Sequence, residues 1–381
     1  MPIRGLPASL PGWVFARQSV DDVTGEGIDG MARQVVGLKI GASQLSAACV
    51  ETNGSVKLMQ VAREPIPRGI VLGGEVKDIV ALGNELKTFF RKHKLPRRAV
   101  RVGIANNRIG VRTIELTGIE DPKQVANAVR FRAQEALPIP VDQAALDFQV
   151  LSETVEDGVP KKRVLLVVAY RELVDSYAIA CRQAGLRLVG VDLEAFALLR
   201  ALTPPVVLPG ERSALVAVSI GAERTTLAVS DGYACEFARV IEWGGTSLTV
   251  AISRALDIEV EAAEILKTQI SLDGDTVPAG VAPEQAAKAR EVLIAALQGF
   301  ARELVSSLQF YQSQPESLGI REVVLAGGTA MLQGLAPTLG SLVGVSVRVG
   351  DPLVGISVGK RLRGGTPDAS LAVPIGLGMA M

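Results

Sequence analysis

Apolar residues recur along this chain in two patterns: short alternating runs of the kind strands make, and longer stretches at helical spacing. Val36–Gly54 reads VGLKIGASQLSAACVETNG. It holds an apolar run, the tripeptide Ile40-Gly41-Ala42, a second alternating run, and Asn53-Gly54, a pair that favours tight hairpin turns. Val216–Gly232, VAVSIGAERTTLAVSDG, repeats the unit around Ile220-Gly221-Ala222 and ends on Asp231-Gly232. Two copies so far apart imply two related α/β domains.

The stretches between the copies fill in both domains. Apolar spacing predicts helices over Glu75–Leu95, Glu172–Ala184, Thr246–Leu256, Val260–Thr268 and Ala286–Gln312. Others run from Asp121-Pro122 to about Leu137, from about Met331, and over the apolar end Leu371–Met381. Asp121 is a natural N-cap with Pro122 at the first helical position, while Gly185 and Pro315 are stops. Strands are predicted at Ala99–Ala105, Val111–Leu116, Val164–Ala169, Leu188–Val191, Val323–Ala326 and Val345–Val349. Strands alternating with helices mean an α/β architecture. Residues 1–33, rich in Pro, Gly and Arg, show no period and read as a mobile extension. Its apolar residues Leu6, Leu10, Trp13, Val14 and Phe15 leave room for a short docking peptide.

Composition narrows the classes. At 381 residues the chain is too long for one core, and 48% hydrophobic residues against 21% charged ones describe a folded protein. Lys+Arg and Asp+Glu both number 40, which argues against nucleic acid as the main ligand. Cys49, Cys181 and Cys235 lie far apart, with no CxxC pair and no disulfide framework, so a reducing compartment is expected. The single histidine, His93, excludes most zinc sites and Ser-His-Asp chemistry. It sits in the basic run Arg91–Lys94, which reads as a solvated helix end. No apolar stretch reaches the ~20 residues of a spanning helix, and the N-terminus lacks the order of a signal peptide. The expectation is a cytoplasmic protein that meets a membrane only through a partner.

The candidate chemistry lies in the glycine turns, each of which taken alone reads as a plain β-turn and which gain weight from being duplicated. A strand–Gly–strand hairpin exposes backbone N–H groups that can wrap a phosphate, and two facing hairpins can hold a nucleoside triphosphate. Gly244-Gly245 opens a helix whose N-terminus either attracts phosphate or is simply capped. Gly327-Gly328-Thr329 is a further place for close backbone approach. Glu264 and Lys267, three apart on one helix, read from spacing alone as a surface ion pair worth about 0.5 kcal/mol.

The ordered set of IGA hairpin, inserted βα unit, second IGA hairpin, GGTSLT, EAAEILK, VVLAGGTAML and PIGLGMA resembles the actin-like ATPases of the FtsA type. RAQEALPIPVDQAALDFQV, VLLVVAYRELVDSY, AGLRLVGVDLEAFALLRAL and LVSSLQFYQSQ are similar to the PilM family of type IV pilus assembly proteins within them. The likeness runs from about Gln34 to the C-terminus. It implies a duplicated two-lobe, actin-like (ribonuclease H-like) fold. The first lobe would span 34–212 with an inserted FtsA-type subdomain at about 118–187, and the second lobe 213–364. The C-terminal helix, 365–381, would return to the first lobe. Gly41-Ala42-Ser43 and Gly221-Ala222-Glu223 would be the phosphate loops, with Gly245 beside them. Gly327-Gly328-Thr329 would border the adenosine of ATP or ADP, and Glu264 and Lys267 would reach ribose and base. The implied partners are the cytoplasmic tail of a PilN-like inner-membrane protein, the pilus assembly motor, and further copies in a ring or clamp at the inner face of the membrane.

Two departures matter. The family's phosphate hairpins usually carry an aspartate before Ile-Gly that positions hydrated Mg²⁺; here Lys39 and Ser219 stand there. Glu194, in VDLEAF, matches a segment where actin-like ATPases carry a water-orienting acid, and is equally readable as a plain helix carboxylate. Mg²⁺ normally bridges and neutralises the phosphates, so weak or no Mg²⁺ binding, no protein metal site and little or no hydrolysis are expected. Lys39 either meets phosphate directly or turns away to pair with a surface acid. The leading expectation is a scaffold. An active Mg-ATP-hydrolysing protein and an FtsA-like division or cytoskeletal protein stand as alternatives. The ending PIGLGMAM, without a basic amphipathic tail, speaks against direct anchoring in the FtsA manner.

Overall fold

The computed structural model describes residues 33–119, 121–136, 140–202, 213–232, 234–274, 276–314 and 317–380. The expected N-terminal extension lies outside them.

The first Ile-Gly-Ala hairpin is β1 (Arg33–Ile40) and β2 (Gln44–Thr52), followed across the Asn53-Gly54 turn by β3 (Val56–Pro65). A two-stranded ribbon, β4 (Val71–Leu72) and β5 (Glu75–Val76), precedes α1 (Ile79–Lys92). The helix predicted from Glu75 therefore starts four residues late. Gly73 and Gly74 take positive φ and close the ribbon, and Asp78 accepts the Ala81 amide at 2.8 Å as N-cap. The chain continues through β6 (Val100–Ile104), β7 (Gly110–Thr117), α2 (Pro122–Ala136), β8 (Ala144–Glu156), β9 (Val159–Tyr170), α3 (Arg171–Gln183), β10 (Leu188–Leu193) and α4 (Glu194–Leu202). The second Ile-Gly-Ala hairpin is β11 (Ala214–Ile220) and β12 (Thr225–Ser230), and β13 (Cys235–Ile241) follows. Then come α5 (Gly245–Leu256), α6 (Val260–Gln269), α7 (Pro283–Gln312), β14 (Ile320–Ala326), α8 (Leu335–Val343), β15 (Ser346–Val349), β16 (Ser357–Arg363) and α9 (Ala372–Met379). The helix expected from about Met331 starts at Leu335, because Gly328–Met331 form a 3-10 turn and Gly334 sits at φ 80°.

Two sheets repeat one plan. The first is ordered β10-β6-β1-β2-β3-β16, the second β13-β12-β11-β14-β15. In each, the hairpin's first strand pairs antiparallel with its second and parallel with a later strand: β1 with β6, β11 with β14. Ile40 faces Leu45 and Ile220 faces Thr225, so the sequence repeat is also a register repeat. β16 pairs with β3, so the chain is already back in the first sheet before residue 365. A third sheet, β7-β9-β8, leaves the first one between β6 and β10 and has its own small core with α2, built on Leu116, Val129, Leu166 and Val168. α3, which a boundary at 187 would assign to this insertion, packs on α1 instead.

α4 joins the two large sheets. All nine of its residues are buried, and it lies against α9, β10 and the strands β11, β12 and β13. Ala217, Ala228 and Val324 of the second sheet thereby share one apolar core with Leu198, Leu199 and the first sheet. α9 meets its neighbours backbone to backbone. A Cβ on Gly376 would lie 1.8 Å from the Ala197 carbonyl oxygen, and one on Gly37 2.0 Å from that of Pro374. Buried arginines hold the α9 carbonyls: Arg200 donates to Gly376 at 3.0 Å and Arg101 to Leu377 at 3.3 Å. Arg200 is also ion-paired with Asp192, with both side chains out of solvent.

Candidate functional site

The glycine turns come at the ends of β1 and β11, and both close the same way. Gly41 N–H donates to the Gln44 carbonyl at 3.0 Å, and Gly221 N–H to the Arg224 carbonyl at 2.8 Å. Among the described residues the amides of Ala42, Ser43, Ala222 and Glu223, at the turn tips, have no acceptor. Successive unspent amides of this kind suit an anionic oxygen.

Around the second turn the predicted residues come together. Gly245 N–H donates to the Gly221 carbonyl at 2.9 Å, Thr246 N–H to that of Ala222 at 2.8 Å, and the Thr329 hydroxyl to Gly221 at 3.0 Å. Gly327 (φ 87°) lies so close to Ile220 that a Cβ would meet its carbonyl oxygen at 2.4 Å. The α5 N-terminus is thus capped by the loop's own carbonyls, and its first amides are spent. Of the two readings of Gly244-Gly245, the cap is the one that the contacts show. Gly328 faces open space.

Lys267 is buried, not a surface residue. Its ammonium donates to the Gly245 carbonyl at 3.1 Å, the Thr249 hydroxyl at 2.9 Å and Glu264 Oε2 at 2.6 Å, which exhausts its three N–H groups. The surface ion pair expected from spacing is therefore corrected: burial of Lys267 under the α5 N-terminus makes it a brace between α5 and α6. The Glu264 side chain stays about half exposed. Burial pushes its carboxyl up, but hydrogen bonds from Lys267 and Thr249 and the charges of Lys267 and Arg68 hold it below the usual range.

The positions before Ile-Gly behave differently from each other. Lys39 Nζ lies 2.9 Å from Glu194 Oε2, with the lysine side chain 18% and the glutamate 7% exposed. Neither reading of Lys39 foresaw this: its partner is a buried acid, the same Glu194 singled out as a water-orienting candidate. Ser219 is buried, and its Oγ has no hydrogen-bond partner among the described residues. Glu223 turns from its own loop to accept the Gly73 amide of the first lobe at 3.1 Å. Arg224 of the second hairpin donates to the Ala105 carbonyl, and Asn107 donates to Glu242 just after β13, so the second lobe is tied across to the first. Thr249 and Arg224 escaped the sequence reading. Aligning the two repeats would have flagged Arg224 opposite Gln44, and Thr249 is the last residue of GGTSLT.

Among the described residues no group of three His, Cys, Asp or Glu side chains could hold a metal ion, and the ammonium of Lys39 pairs with the Glu194 carboxylate. Also among the described residues, no helix is long and apolar enough to cross a membrane.

A family model described as type IV pilus assembly protein PilM matches residues 37–381. A solved PilM-PilN type IV pilus biogenesis complex is 26% identical, with a TM-score of 0.75, over 92% of this chain and 98% of that one. Two more distant structures share the fold: ethanolamine utilization protein EutJ from Carboxydothermus hydrogenoformans and MreB5 of Spiroplasma citri bound to ADP. EutJ is 15% identical at TM-score 0.53, covering 93% of this chain and 91% of its own. MreB5 is 14% identical at TM-score 0.52, covering 90% and 94%. The two-lobe architecture is accordingly the actin-like one.

Proposed function

The chain belongs to the PilM family of type IV pilus assembly proteins, and from that premise we propose that it is a scaffold at the inner face of the membrane, held there by the tail of a PilN-like protein. The family match over 37–381 carries this reading, and the neighbouring complex with PilN supports the partner. In the same reading the chain links PilN to the assembly motor and works as an oligomer organised by that partner.

The Lys39–Glu194 pair supports a scaffold over an enzyme. Hydrolysis of a nucleoside triphosphate needs a group that accepts or orients the attacking water, and a carboxylate already hydrogen-bonded to an ammonium is poorly placed for it. The unspent amides of Ala42, Ser43, Ala222 and Glu223 favour ATP or ADP held through its phosphates with little dependence on Mg²⁺. Gly328 leaves space for the nucleoside.

Titrating the full chain with a PilN-like N-terminal peptide tests the assignment. Saturable binding is expected. No binding at high micromolar peptide, with folded protein, would remove the pilus reading.

A further inference from the structure

We propose that the end of the first sheet remote from the glycine turns is a basic face that rests on an anionic lipid surface. β6 and β10 run parallel with β1, so the connections entering them lie at the opposite end from Gly41. These connections are side by side: Arg187 N–H donates to the Arg97 carbonyl at 2.8 Å, and Val100 N–H to that of Arg187 at 3.0 Å. The helices leading into them, α1 and α3, also touch, with Gly83 against Ala180 and Gln183.

Residues 86–99 and 176–191 contain no Asp or Glu, in a chain with zero net charge. Arg91, Lys94, Arg97, Arg98, Arg182 and Arg187 have no carboxylate partner among the described residues. Glu64 of β3, which reaches the same basic run, is occupied by Lys92 at 2.7 Å and His93 at 3.0 Å. All six are exposed except Arg97, which is half-buried.

Cations gather at helix C-termini for local reasons, and that accounts for Arg91, Lys92 and Arg182. It does not account for Lys94. α1 and α3 end in the same motif, with Leu95 N–H donating to the Phe90 carbonyl at 3.1 Å and Leu186 N–H to that of Cys181 at 3.0 Å. The residue before each donor must be left-handed. α3 uses Gly185 (φ 72°), but α1 uses Lys94 (φ 53°), a conformation that costs any residue with a Cβ. An exposed ammonium is kept where glycine would sit without strain.

The occupant follows from what the face lacks. Phe89, Phe90 and Tyr177 are buried, so no aromatic ring stands out for base stacking. Leu95 is buried as well, and among the large apolar side chains of residues 86–99 and 176–191 Ile179 alone is exposed, too little to anchor a peptide helix. A field of unpaired cations is what an anionic bilayer attracts. The inference rests on the reading that a membrane partner holds the chain at the bilayer, to which this contact adds a second, weaker attachment.

Flotation of the full chain with phosphatidylethanolamine–phosphatidylglycerol vesicles tests it, beside vesicles of phosphatidylcholine alone. The wild type should float with the anionic vesicles and detach as salt rises. Arg91→Gln, Arg98→Gln and Lys94→Gly should each weaken this about fivefold. Lys94→Gly should do so while melting at a higher temperature, which separates lost charge from lost fold. Affinity for the PilN-like peptide should be unchanged in all three. Absence of flotation, equal flotation with phosphatidylcholine, indifference to the substitutions, or capture of polyglutamate without flotation would overturn the basic face. Failure of the peptide titration alone would remove the partner reading and leave the lipid contact standing.

Discussion

The ammonium of Lys39, near the end of a first-lobe strand, lies 2.9 Å from the carboxylate of Glu194, the first residue of the helix buried between the lobes. Two residues 155 positions apart therefore neutralise each other at the point where the lobes meet. Lys39→Met leaves Glu194 unpaired with 7% exposure and is expected to cost about 2–3 kcal/mol, discounted for partial access of solvent to the lysine. Lys39→Met with Glu194→Gln together should cost less than Lys39→Met alone. Denaturant unfolding of the single and double variants measures this; strict additivity would mean the pair carries no coupling.

Nucleotide chemistry follows from the same contact. ATP should bind with an affinity that hardly changes when Mg²⁺ is removed, and phosphate release should stay near background. Calorimetry with and without Mg²⁺, beside a phosphate-release assay, decides it. Robust Mg²⁺-dependent release that disappears in Glu194→Ala would return the catalytic role to that acid.

Ser219 hides a hydroxyl that has no partner among the described residues. Removing an unsatisfied buried polar group relieves its desolvation, so Ser219→Ala should be neutral or stabilising by up to about 1 kcal/mol. A melting temperature clearly below that of the wild type would show that the hydroxyl holds something the protein needs.

The seat of α9 should tolerate no added methyl group. Gly376→Ala would drive a Cβ into the Ala197 carbonyl, and a destabilisation of about 3 kcal/mol or more is expected. Gly328→Ala, which meets nothing within 4 Å, should stay within about 0.5 kcal/mol. Thermal unfolding of both variants makes the comparison, and equal effects would contradict the close packing.

Glu264 gives a pH dependence whose sign is set by its lowered pKa. A depressed carboxyl adds stability above its unfolded value of 4.5, and that stability is lost as pH falls through the lower folded value. Glu264→Gln should therefore flatten the acid side of the stability curve and leave its slope near neutrality unchanged. Urea unfolding across the acid range shows it. An unchanged acid limb would mean that Lys267 does not stabilise the carboxylate.

The duplicated hairpins were legible in the sequence because strand alternation, Gly turns and Asn-Gly or Asp-Gly pairs are local signals. Most helices of the outer layers were legible for the same reason, since one face is wet and the spacing records it. α4 was not, because a helix buried on every side has no polar face to mark its period. Glu75 and Val76 read as helix until Gly73 and Gly74 folded them into a ribbon. For the site, the residue types and the missing aspartates could be read from the chain, but their partners could not. The pairing of Lys39 with Glu194, the use of all three N–H groups of Lys267, and the reach of Glu223 to Gly73 each join residues from different elements. Local sequence determines which groups a turn or helix presents. Whether a charge meets solvent, a phosphate or an opposite charge is decided only when the lobes close around α4, because electrostatic and hydrogen-bond partners are set by distance in space.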